Sequence, residues 1–83
     1  MRIHSARELA WVVSSQRKKL GLTQKETGTL VGLSQKTISA FETKPGSTKL
    51  DTLFHILSAA HLEIRVISKD TQGKIEDEWN QEW

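Results

Sequence analysis

One glycine between two helix-starting residues constrains this chain more than any other feature. Thr23 and Ser34 are both residue types that cap helix N-termini, and Gly32 lies between them in the stretch LTQKETGTLVGLSQKTISAFE, residues 22–42. Glu26 stands three residues after Thr23, the spacing of a capping box. The pattern predicts a helix over Gln24–Val31, a left-handed closure at Gly32 at low steric cost, and a second helix over Gln35–Thr43. Two short helices joined by a tight glycine turn cross one another and cannot lie in line. Ile38 and Phe41, three apart, give the second helix an inner face. Its outward N-terminal end then holds Ser34, Gln35, Lys36 and Thr37, with Ser39 about a turn further on.

That outward set has the chemistry of base recognition. Glutamine pairs in bidentate fashion with adenine, lysine reaches guanine acceptors, and serine or threonine serves either base. A helix N-terminus offers unpaired N–H groups to a phosphate. The expectation is a helix that reads the major groove of double-stranded DNA through Ser34, Gln35, Lys36, Thr37 and Ser39. Lys44, just past the helix, is placed to touch the DNA backbone.

Charge distribution supports a polyanionic partner. Residues 1–49 carry nine Lys/Arg against three Asp/Glu, a net +6, whereas residues 50–83 carry three against seven, a net −4. A basic front half suits nucleic acid, and the acidic rear suits a protein. The 83 residues make one small domain, to which dimerisation would add stability. The chain has no cysteine, which excludes disulfides and thiolate metal sites and fits the cytoplasm. No apolar run spans a membrane and the N-terminus lacks a signal-peptide pattern. No Gly-rich phosphate loop, Ser-His-Asp set or metal spacing is present, and His4, His55 and His61 are scattered, so neither an enzyme, a cofactor nor a metal site is expected.

Flanking elements follow from local signals. Ser5-Ala6-Arg7-Glu8 predicts a first helix from near Ala6, with Leu9, Val13, Gln16 and Leu20 on one face and Trp11 partly buried. Arg17-Lys18-Lys19 favours its C-terminal dipole, and Gly21 stops it. Thr43–Ser47 is a turn by composition. Thr48 is expected to cap a last helix whose buried stripe is Leu50, Leu53, Phe54 and Leu57, joined by Ile56 and Ala60. In residues 62–68, Leu62, Ile64 and Val66 alternate with Glu63, Arg65 and Ile67, which is a strand signal. A lone strand leaves backbone groups unpaired, so it is expected to pair with its copy in a homodimer. Residues 1–68 therefore form the domain. Residues 69–83 form a flexible acidic tail in which Trp79 and Trp83 are apolar anchors for a partner protein.

These residues together resemble the phage-repressor or XRE type of helix-turn-helix domain. The marks are Arg17, Leu22-Thr23-Gln24, Gly32, Thr37-Ile38-Ser39, Phe41-Glu42 and Leu53. Thr37–Glu42, the following strand and the terminal Glu82-Trp83 are most similar to the HipB group of HipA-type toxin–antitoxin operons. The resemblance implies a mainly α, compact four- to five-helix domain followed by one β-strand that pairs across a homodimer. It implies that Gln24 contacts phosphate, and that Arg17 and Glu42 form an ion pair between helices. It also implies binding to a palindromic operator, autorepression, and a complex with a HipA-like serine/threonine kinase toxin. Ala40 stands where relatives often carry a polar group, which leaves a thymine methyl as its contact. Thr27 and Gly28 stand where the family prefers Leu and Ala. A phage-type repressor without a kinase, or an antitoxin that binds mainly protein, remains as an alternative.

Overall fold

Four α-helices account for most of the residues that the computed structural model describes, residues 2–69. Helix α1 spans Ala6–Lys19, α2 Gln24–Val31, α3 Gln35–Thr43 and α4 Leu50–Ala59, with a 3-10 turn at Pro45–Ser47 before α4. The mainly α, helix-turn-helix class expected from the sequence is the class observed. Among the described residues, 62–68 form no strand ladder. The tail anchors Trp79 and Trp83 lie outside the described residues.

Each helix of the central pair starts where its cap chemistry places it. Thr23 Oγ1 accepts from the Glu26 N–H at 3.0 Å, and the Thr23 N–H donates to the Glu26 carboxylate at 2.9 Å. That N–H, with the threonine hydroxyl, holds the Glu26 pKa below its ordinary value. Ser34 Oγ likewise accepts from the Thr37 N–H at 3.1 Å. Between them Gly32 takes φ +71° and closes α2, and the Leu33 N–H donates to the Gly28 carbonyl at 2.8 Å. The turn folds so tightly onto α2 that a Cβ on Gly28 would run into the Leu33 carbonyl oxygen. Thr27, fully buried, donates its hydroxyl to the Thr23 carbonyl at 2.8 Å and leaves no orphaned polar group.

The core is built from Ala10 and Val13 of α1, Ile38 and Phe41 of α3, and Ile56, Leu57 and Ala60 at the end of α4. Leu9, Leu33, Leu53 and Leu62 pack around it. Ile38 and Phe41 are buried as expected. Three apolar positions are not. Leu50 is 71% exposed and Phe54 55%, because α4 turns Leu53, Ile56 and Leu57 to the core and its packed side is narrower than its apolar stripe. Trp11 is 66% exposed, because α1 turns Ala10, Val13 and Arg17 inward, with Leu9 at the edge of the core, and Trp11 lies off that side. α4 also begins one residue later than expected. Thr48 closes the 3-10 turn, and Lys49, without a side-chain cap, precedes the helix. Among the described residues, no helix is long and apolar enough to cross a membrane.

Candidate nucleic-acid interface

The N-terminal end of α3 is held by a polar chain that runs inward to α1. Arg17 lies buried and donates Nε to Glu42 Oε2 at 2.7 Å and Nη2 to Glu42 Oε1 at 3.1 Å. Its Nη1 donates to the Leu22 carbonyl at 2.8 Å, tying the turn before α2 into the same clamp. This bidentate pair is the inter-helix ion pair that the family resemblance implies. Burial disfavours the charged form of Glu42. The hydrogen bonds from Arg17 and Gln24 and the adjacent guanidinium charge outweigh it, and its pKa falls below the ordinary carboxylate value.

Gln24 extends the chain to the surface. Its Nε2 donates to Glu42 Oε1 at 3.1 Å, and its Oε1 accepts from Gln35 Nε2 at 3.3 Å. Gln35 is exposed at the first position of α3, so the sequence Arg17–Glu42–Gln24–Gln35 links the core to the solvent-facing amide. The last contact is long and exposed, and a base or phosphate can replace it at small cost. Gln24 therefore sits beside Gln35 at the N-terminus of α2.

A shallow groove runs along α3 from there. Ser34, Lys36, Thr37 and Ala40 form one wall, and Lys44, Ser47, Thr48, Lys49 and Thr52 form the other. Lys36, Lys44 and Lys49 are all exposed. Three ammonium groups, the N–H groups at the start of α3 and an apolar methyl thus face one channel. That combination has the chemistry to neutralise phosphates and to accommodate base edges. Ser34 and Thr37 share a 3.0 Å hydroxyl contact that keeps both at the cap.

Of the residues expected from the sequence, Ser34, Lys36, Thr37 and Lys44 come together in the groove, and Gln24 and Gln35 adjoin its α3 end. Ser39 is half-buried and outside the groove lining. Ala40, open on the groove wall, suits an apolar base contact. The far wall, Ser47 to Thr52, was not expected. The signal available for it was the basic Lys44–Lys49 segment between two helices. Leu62 and Ile64 line a separate apolar groove with Ile3, Leu9, Val12 and Leu57, and Val66 lies beside Ile3 in an adjoining hollow.

Comparison with known proteins agrees with this geometry. A helix-turn-helix (HTH_3) family model matches residues 13–67. Antitoxin HipB of Escherichia coli K12 is 34% identical over 83 residues, which cover 99% of this chain and 94% of that protein. Antitoxin HipB of E. coli O6:H1 is 32% identical over 99% of this chain and 88% of its own length. The solved HipA-HipB-O2-O3 complex contains a chain similar at a TM-score of 0.80 and 35% identity, covering 83% of this chain and 97% of that one. By the span of the family model and the near full-length likeness to these antitoxins, the chain belongs to the helix-turn-helix family and, within it, to the HipB antitoxin group.

Proposed function

We propose that this chain is the sequence-specific DNA-binding repressor of its own HipA-like toxin–antitoxin operon. It binds a palindromic operator as a homodimer and forms a complex with a HipA-like serine/threonine kinase toxin in the cytoplasm. The observation that carries this reading is the groove along α3, where Lys36, Lys44 and Lys49 flank a capped, outward-facing helix start. Gln35, Lys36, Ser39 and the Ala40 methyl are assigned to bases; Gln24, Ser34, Thr37 and Lys44 hold the helix against phosphate. Residues 62–68 are assigned to the dimer and residues 69–83 to the kinase, with Trp79 and Trp83 as anchors. The likeness to a HipB chain solved together with HipA supports the kinase partner. The reading assigns the chain no catalysis.

Footprinting on the DNA upstream of its own gene tests the reading. The expected result is protection of a palindrome with half-sites about one DNA turn apart. Protection without sequence preference, at an affinity no better than on random DNA, would overturn it.

A further inference from the structure

The segment after α4 carries a self-complementary charge pattern on top of its apolar one. Leu62 is half-buried, whereas Ile64 and Val66 are 44% and 52% exposed. Glu63 and Arg65 alternate with them along the sequence, with side chains 76% and 68% exposed and a 3.4 Å contact between them.

We propose that this segment pairs with its copy about a two-fold axis through Ile64, setting Glu63 of each copy opposite Arg65 of the other. These two charge pairs fix the register and make the interface select its own kind. The proposal rests on the homodimer reading above.

The register follows from symmetry. Only antiparallel pairing about an axis normal to the sheet keeps Leu62, Ile64 and Val66 of both copies on one face. Such an axis must pass through a residue, which then faces itself. An axis at Glu63 or Arg65 opposes like charges, which is unfavourable. An axis at Val66 places Ser68 opposite Ile64 on the apolar face. An axis at Ile64 pairs Leu62 with the partner's Val66 and Ile64 with the partner's Ile64, and matches both charges.

The absence of cysteine allows a direct test in the full chain. Single variants Glu63→Cys, Ile64→Cys and Arg65→Cys are oxidised with oxidised glutathione; cross-linking is read on a denaturing non-reducing gel, and oligomeric state by light scattering. A disulfide needs Cα atoms within about 7 Å. Residues directly opposite meet this, and diagonal ones lie at about 7–8 Å. The expected result is a cross-linked dimer from Ile64→Cys alone. Cross-linking through Arg65→Cys or Glu63→Cys, or through none of the three in a protein that remains dimeric, overturns the register. A monomeric wild-type chain instead contradicts the homodimer itself. In a second arm, E63R and R65E should each weaken self-association on the order of tenfold. Mixing the two should restore a heterodimer with wild-type affinity. Equal weakness of the mixture would overturn the charge pairing.

Discussion

Glu42 accepts two hydrogen bonds from Arg17 and one from Gln24. It joins α1, the start of α2 and the last turn of α3 through one carboxylate. Its folded-state pKa is depressed, so the stability it contributes is present above the ordinary glutamate pKa of 4.5 and is lost as pH falls through the folded value. Glu42→Gln leaves the buried guanidinium of Arg17 without its counter-charge and should cost about 2 kcal/mol near neutral pH. As pH falls below 4.5 and through the depressed folded value, the difference between variant and wild type should shrink, because wild-type Glu42 then becomes neutral too. Urea titrations across that range check this, and a pH-independent difference would contradict it. Gln24 donates to the same carboxylate and accepts from Gln35 in turn, so the variant should also loosen the surface amide.

Gly28 decides how α2 meets the turn that leads to α3. Alanine gains about 1 kcal/mol over glycine in a helix interior, yet its Cβ would meet a backbone carbonyl that cannot swing aside. Overpacking of this kind costs about 1–3 kcal/mol, so Gly28→Ala should lower stability on balance. A raised melting temperature would show that the turn yields. Val66→Pro in the segment after α4 removes a backbone donor and should give a monomer by light scattering; a persistent dimer would place the interface elsewhere. The first three helices were legible because Ser5, Thr23, Ser34, Gly21 and Gly32 act through local backbone chemistry, which needs no tertiary context; α4 was legible from its apolar periodicity, and its expected cap at Thr48 was not the observed one. The exposure of Leu50, Phe54 and Trp11 was not. Periodicity identifies an apolar face but not how much of its length neighbouring helices cover. The sequence does not single out Lys49, Thr48 and Thr52 as groove residues, because their place in the groove depends on the start of α4 lying beside α3. The Arg17–Glu42 pair was legible only through family resemblance, since nothing local in either residue names the other.

At the scale of the molecule the charge divides by position, net +6 before Leu50 and −4 from there on. The groove lysines all fall in the basic part. DNA affinity should fall steeply with salt through counterion release, whereas kinase affinity carried by Trp79 and Trp83 should respond weakly. Truncation after Gln72 should leave operator affinity nearly intact and strongly weaken kinase binding. Trp83→Ala alone should cost on the order of 2 kcal/mol of that binding. Calorimetry against the purified kinase checks both, and unchanged affinity on truncation would confine the contact to the folded domain.

The central claim is that the start of α3 reads base sequence. Fluorescence anisotropy of wild-type and Gln35→Ala protein, on the chain's own upstream palindrome and on a scrambled duplex at one salt concentration, tests it most directly. The account predicts a loss of about 1–3 kcal/mol on the palindrome and little change on the scrambled duplex. Equal losses on both would contradict it.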